Sequence, residues 1–187
     1  MPITINIIGE VDYFLPDDML ESIKAITDLL YAPGDTYIDC YGLSQPDIAD
    51  HIIAADSTGV NISIACDHLQ ACGSSTKATL ARINEAFKTR GKSTITITTA
   101  GPLSDVPGSI YHKKCMVVKA LDGDEDYCME GSLNMTSPGS KQANTLRIFR
   151  SNEWAAKEIS DHVAVCAWAN AVHPEWQLVN GLGAVCE

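Results

Sequence analysis

The sequence predicts an α/β fold: a mixed, largely parallel sheet flanked by helices on both faces, within a single domain over residues 1–187. Three observations lead there. Through the first hundred residues, β-branched runs of strand length alternate with amphipathic stretches of helical period, the pattern of βαβ units. After residue 110 the pattern changes to two apolar runs joined by an acidic, glycine-containing turn, the mark of a hairpin. No polar linker, internal repeat or low-complexity segment divides the chain, and its length suffices for a core that needs neither disulfides nor a structural metal.

Taken in order, residues 3–8 alternate and are β-branched, which predicts a strand. Pro16, Asp17 and Asp18 then open a helix whose apolar positions Met19, Leu20, Ile23, Ile26, Leu29 and Leu30 recur at helical spacing. Pro33 and Gly34 stop it, and residues 36–41 form the next strand. Ser44, with Pro46 in the first turn and Asp47 three residues on, starts a helix that runs to about residue 56, before the turn at 57–59. Strands over 60–66 and 93–99 enclose a helix over 76–88. The hairpin pairs 110–120 with 127–130 across the turn at 121–126. A last strand at 146–149 precedes a closing helix over 152–171, in which Trp154, Ile159, Val163, Cys166 and Trp168 are the expected core contacts, with Trp176 in the tail.

With 45% hydrophobic and 20% charged residues, the chain is too apolar for a disordered protein. Its 24 acidic against 13 basic residues give a net charge of -11, which opposes non-specific attraction to nucleic acid. The opening MPITINIIGEVDYF has no basic region followed by a long apolar one, and no apolar run reaches spanning length, so a cytoplasmic protein without transmembrane association is expected. The seven cysteines, Cys40, Cys66, Cys72, Cys115, Cys128, Cys166 and Cys186, contain no CxxC pair and are read as free thiols of a reducing compartment. Cys66, His68 and Cys72 are close in sequence, but their spacing matches no zinc motif, so neither a metal nor a cofactor is expected.

The chemistry is concentrated in Tyr111-His112-Lys113-Lys114-Cys115 and, past the hairpin turn, Glu130-Gly131-Ser132-Leu133-Asn134. On an extended chain, residues two apart share a side, so His112 and Lys114 project together while Lys113 and Cys115 point the other way. One side therefore presents an imidazole beside an ammonium. Cleaving a phosphodiester without a metal requires a nucleophile, positive charge and hydrogen-bond donors around the phosphoryl oxygens, and an acid for the leaving oxygen. His112 and Lys114 supply the first two. Gly131 permits close backbone approach, and Ser132 and Asn134 are candidate donors to a phosphate oxygen.

A His-x-Lys at a strand start followed by Gly-Ser-x-Asn after the next strand resembles the signature of the phospholipase D superfamily. The upstream runs TYIDCYGLSQPDIADHII and STGVNISIACD are similar to the short, one-motif bacterial nuclease branch. Family members pair two such motifs across a pseudo-two-fold axis; one histidine attacks phosphorus to form a phosphohistidine and the other protonates the leaving group. With one motif per chain, the resemblance implies a homodimer with His112 from each subunit in a shared site. A nucleic-acid or nucleotide phosphodiester is then the expected substrate, with a phospholipid as the alternative.

Two positions depart from the family pattern. Lys119 stands where the family carries an aspartate five residues after the lysine, with Asp122 and Asp124 in the turn as candidate substitutes. The acid that orients the family's histidine from just before a later strand is also missing, since that run reads Lys141-Gln142-Ala143-Asn144-Thr145. Asn144 is a candidate to orient the ring, though it stabilises the protonated form less well than an acid, and Glu130 is a candidate replacement, with a solvated strand end as the plain alternative. Asp67, at the carboxyl end of a strand where α/β proteins place their sites, is a further supporting candidate, with a turn or helix cap as the plain alternative. Lys141 is a candidate source of positive charge. These departures also motivate a rival reading, a non-catalytic binding or inhibitor protein on the same fold. A phospholipase or phosphatidyl transferase would need an apolar entry surface, for which the Leu133 and Met135 pair is the one small signal.

Overall fold

In the computed structural model, β1 (Val11–Leu15) leads into α1 (Met19–Leu30), then β2 (Gly34–Cys40), α2 (Pro46–Ala55) and β3 (Ile62–Asp67). A short α3 (His68–Cys72) and the longer α4 (Ser74–Arg90) precede β4 (Ile95–Ala100), and the chain ends in β5 (Cys115–Ala120), β6 (Tyr127–Gly131), β7 (Asn144–Arg150) and α5 (Asn152–Val172). The structure describes residues 10–15, 17–55, 60–90, 95–101, 110–121, 123–139 and 142–174. The strand expected at 3–8, the 57–59 turn, Pro16, Asp122, Lys141 and Trp176 lie outside them.

The described strands form one seven-stranded mixed sheet in the order β1-β7-β6-β5-β2-β3-β4. Its parallel part is β2, β3 and β4, with Thr36 opposite Ile62 and Ile62 opposite Ile95. The other four pairings are antiparallel. The parallel share is smaller than strand–helix alternation suggests, because β1 does not join the βαβ series. It pairs instead with β7 at the far edge, Val11 opposite Ile148.

One sheet face, carrying Ile38, Ile64, Met116 and Ile148, is covered by Ile26, Leu29 and Leu30 of α1, Ile48 and Ile52 of α2, and Leu80 and Ile83 of α4. Burying each of these side chains contributes about 1.5–3 kcal/mol. Leu20, expected among the apolar contacts of α1, is instead 73% exposed.

The opposite face is covered by α5, whose start is capped by Ser151 Oγ accepting the Trp154 amide at 3.1 Å. Its buried residues are Ala155, Glu158, His162, Val165 and Ala169, at alternating steps of three and four. The apolar count of the sequence picks a different stripe and places Val163 in the core, yet Val163 is 54% exposed. The reason is electrostatic: Glu158 and His162 are buried because Lys113 and Asp39 meet them there.

Cys40, Cys66, Cys115, Cys128 and Cys166 are free thiols as expected. Cys72 departs from that expectation and is disulfide-bonded. No helix among the described residues is long and apolar enough to cross a membrane.

Candidate active site

Sheet topology gathers the chemistry at one end. Tyr41 follows β2, Asp67 ends β3, His112 and Lys114 precede β5, and Ser132 and Asn134 follow β6; because β5 runs antiparallel to β2 and β6, all of these termini coincide. The sequence predicts strand from residue 110, but the ladder begins only at Cys115. Residues 110–114 are therefore positioned by side chains rather than by sheet hydrogen bonds.

Side-chain alternation persists through this segment. On one side the His112 ring meets the Tyr41 ring edge to face, with centroids 4.8 Å apart and planes at 72°. The Lys114 ammonium lies 5.4 Å from the centroid of the same Tyr41 ring and donates to the His112 carbonyl oxygen at 3.0 Å. Lys114 is 8% exposed, and burial lowers its pKa below the usual 10.5. His112 itself is exposed.

On the other side Tyr111, Lys113 and Cys115 turn toward Asp39. The Tyr111 hydroxyl donates to Asp39 at 2.5 Å, Lys113 lies 3.7 Å from Asp39 and 2.5 Å from Glu158, and the Cys115 thiol is 3.4 Å from Asp39. His162 Nδ1 completes the cluster at 2.9 Å from Asp39. Burial would raise the Asp39 pKa, but the His162 hydrogen bond and charge, with Tyr111 and Lys113 adding to them, leave it below its usual value. His112 and Lys114, on either side of Lys113 in the chain, are thus held from behind by an ion-paired neighbour.

The Gly-Ser-x-Asn turn is built by close backbone approach. An added Cβ on Gly131 would lie 2.2 Å from the Thr145 carbonyl oxygen, so only glycine lets β6 and β7 meet here. Ser132 N–H donates to that same carbonyl at 2.9 Å, and its Oγ accepts the Thr145 N–H at 2.9 Å. Accepting that bond leaves the hydroxyl of this exposed serine its own proton to donate. Asn134 is held near β2 because the next residue, Met135, bridges Leu43 and accepts the Ser44 and Gln45 amides. Its Oδ1 is buried without a hydrogen-bond partner among the described residues. Leu133 and Met135 are 4% and 2% exposed, so they belong to the core and offer no apolar entry surface.

The supporting candidates have distinct positions. Asp67 is 2% exposed; one carboxylate oxygen caps α3 through the Gln70 amide at 3.0 Å and the other accepts the Tyr111 amide at 2.8 Å. Asn144 donates to the carbonyls of Gly139 at 2.8 Å and Gln142 at 3.4 Å, closing the loop before β7. Glu130 stands between Cys115 and Arg147 in the ladder and lines a cavity of about 440 Å³ with Asp12, Phe14, Thr145 and Arg147. Among the described residues no carboxylate is hydrogen-bonded to the His112 ring. At the turn after β5, Asp126 accepts the Ala120 amide at 2.9 Å and closes the hairpin. Sequence reading passes over Tyr41, Gln70 and Asp39; the one signal available was an acid at position 39 within an otherwise apolar run.

A family model described as cardiolipin synthase, PLD-like domain, matches residues 26–165. The chain belongs to the phospholipase D-like family. Its fold is similar to that of Nuc from Salmonella typhimurium, a phospholipase D family member, with 20% identity, a TM-score of 0.66 and coverage of 84% of this chain and 93% of that one. NucT from Helicobacter pylori gives 16% identity and a TM-score of 0.67, over 83% of this chain and 94% of that one. Phosphatidylserine synthase from Haemophilus influenzae gives 15% identity and a TM-score of 0.55, over 83% and 37%. No curated protein matches the chain. As a phospholipase D-like protein it retains the His-x-Lys and Gly-Ser-x-Asn elements, brought to one end of the sheet.

Proposed function

We propose that this phospholipase D-like chain is a metal-independent phosphodiesterase, a nuclease acting on nucleic-acid or nucleotide diesters through a homodimeric site. The observation that carries the reading is the pairing of an exposed imidazole and a desolvated ammonium against one Tyr41 ring, at 4.8 and 5.4 Å from its centroid. A ring nitrogen of His112 attacks phosphorus and the bond to the leaving oxygen breaks, while the partner subunit's His112 gives that oxygen a proton. Water then attacks the phosphohistidine, the P–N bond breaks, and the water's proton returns to the partner subunit's His112. Lys114 and Asn134 stabilise phosphoryl charge, and Ser132 donates a hydrogen bond to a phosphoryl oxygen.

Two exposed apolar residues support the dimer. Leu69, two residues after Asp67, is 62% exposed and Ile110, two residues before His112, is 41% exposed; the Asp67 to Tyr111 hydrogen bond joins their two segments, and a two-fold axis has to pass near His112 for two copies of it to share a site. The charge of -11 favours single strands or small diesters over long duplexes.

A second reading is favoured by one observation, the absence of a carboxylate at the His112 ring among the described residues. On that reading the chain is a binding or inhibitor protein on a phospholipase D-like fold. Hydrolysis of a chromogenic aryl phosphodiester and of single-stranded oligonucleotides in excess chelator separates the two. Turnover abolished in His112→Ala, with an acid-quenched phosphoryl adduct on His112, is the expected result. A folded wild-type dimer inert on both substrates would leave only the binding reading.

A further inference from the structure

The family's histidine is oriented by a carboxylate, whereas among the described residues no carboxylate is hydrogen-bonded to the His112 ring and an aromatic ring stands against it instead. Four residues and His112 itself form a closed circuit. Asp67 Oδ1 accepts the Gln70 amide at 3.0 Å, and Gln70 Nε2 donates to the Tyr41 hydroxyl at 3.0 Å. The Tyr41 ring stands against the His112 ring at 4.8 Å, and the residue before His112, Tyr111, returns its amide to Asp67 Oδ2 at 2.8 Å. Asp67 is 2% exposed, so the circuit closes on a fixed point inside the protein.

We infer that Tyr41 is the positioning residue for His112 and takes over the part of such a carboxylate, with Gln70 and Asp67 fixing Tyr41 in turn. The inference rests on the phosphodiesterase reading for its effect on rate, but the contact itself does not. A backbone segment outside the sheet ladder needs such anchors, because its φ and ψ are otherwise free. Tyr41 reaches both working groups at once: the face of an aromatic ring attracts cations, which places the Lys114 ammonium by the same ring that restricts the imidazole. Gln70 is well suited to the outer position. Its amide nitrogen donates to the phenol oxygen, so the tyrosine ring is held at its far end and cannot swing away from His112. The single buried carboxylate of Asp67 serves both ends of the circuit, setting the helix that carries Gln70 and the amide that precedes His112.

Partners that orient a metal-ligating histidine from behind cost roughly 10–100-fold when removed, and the same scale is taken here for a ring that orients a nucleophilic histidine. Tyr41→Leu is expected to lower kcat by about that factor with KM changed less than about twofold. Tyr41→Phe keeps the ring and loses only the Gln70 hydrogen bond, so its kcat is expected to fall between those of wild type and Tyr41→Leu, and Gln70→Leu is expected to match Tyr41→Phe. Independently of turnover, the carbon-bound ring protons of His112, assigned with His112→Ala, are expected to show the ring-current displacement of Tyr41 in nuclear magnetic resonance spectra. That displacement is expected to persist in Tyr41→Phe and vanish in Tyr41→Leu. Unchanged His112 shifts in a folded Tyr41→Leu would overturn the contact, and an unchanged kcat with shifted signals would overturn the positioning role. If the wild type turns over no diester, the phosphodiesterase reading fails while the spectra still decide the contact.

Discussion

His162 Nδ1 lies 2.9 Å from Asp39 Oδ1, and each side chain is only 2% exposed, between α5 and the sheet. Burial alone would lower the His162 pKa, but the hydrogen bond to Asp39, a second to Cys166 and the Asp39 charge raise it to about 9 from its usual 6.5. Ser63 Oγ lies 2.8 Å from the other ring nitrogen and accepts its proton. A serine, histidine and aspartate are therefore in line, but the protonated ring is an ion-pair partner rather than a base.

The sign of the pH dependence follows. A histidine whose folded pKa is raised contributes stability that is fully present below 6.5 and lost as pH rises toward 9. At roughly 1.4 kcal/mol for each tenfold step, the loss is at most about 3–4 kcal/mol. Asp39, whose pKa is depressed, acts on the other limb: its contribution is present above 3.8 and is lost as pH falls through the depressed value. Urea melts of the wild type are expected to show a midpoint falling between pH 6.5 and 9, and His162→Gln is expected to flatten that limb. Equal slopes in the two proteins would remove the ion pair from the account.

Lys113 and Glu158 carry a second expectation. Burial would lower the Lys113 pKa, but Glu158 and Asp39 raise it overall, and the pair links the segment of His112, which precedes β5, to α5. Removing one member of a buried pair costs about 3–5 kcal/mol because the other is left uncompensated. Lys113 is 26% exposed in its side chain, so Glu158→Leu is expected at or below the lower end of that range. The double variant Lys113→Met with Glu158→Leu is expected to recover much of the loss, as replacing both partners by apolar groups often does. A double-mutant cycle by urea unfolding measures this, and additive losses would mean that the two residues are not coupled.

The same cluster explains what could and could not be read from sequence. The alternation of His112 and Lys114 against Lys113 and Cys115 follows from the two-residue period of extended chain, and the structure retains it even though the ladder starts only at Cys115. The α1, α2 and α4 contacts follow from apolar spacing. The buried stripe of α5 does not, because counting apolar residues assigns Glu158 and His162 to solvent, and their burial depends on Asp39 and Lys113 from distant parts of the chain. Tyr41 and Gln70 are illegible for a related reason. A tyrosine after a strand and a glutamine on a five-residue helix carry no spacing that marks them, and only the parallel register of β2 with β3 brings them together.

Glycine substitution separates backbone approach from backbone conformation. At Gly131 an added Cβ would meet the Thr145 carbonyl oxygen at 2.2 Å and the Leu146 Cα at 3.0 Å, both backbone atoms that cannot move aside alone. Gly131→Ala is expected to cost at least about 1–3 kcal/mol, as overpacking does, and to displace Ser132 with a loss of turnover. Gly123 has φ of 81° in open space, so Gly123→Ala is expected to cost about 1 kcal/mol through backbone conformation alone and to leave turnover unchanged. Equal effects of the two substitutions on turnover would mean that the β6 to β7 approach does not set the Ser132 position.

Leu69 tests the shared site. It projects from α3 between Asp67, which caps that helix, and Gln70, so a change at its exposed tip leaves the cap and the circuit behind His112 in place. A charge there is costly only if the residue is covered by another molecule, because an exposed leucine already faces water. Leu69→Asp is therefore expected to leave the urea midpoint of the isolated subunit unchanged within about 0.5 kcal/mol. It is expected to shift the sedimentation equilibrium from dimer toward monomer and to lower turnover in proportion to the dimer lost. Raising the protein concentration should restore turnover by mass action, since each site needs two copies of His112. A strict monomer of wild type that still turns over at every concentration would leave no place for the partner subunit's His112, and the proton for the leaving oxygen would have to come from within one chain.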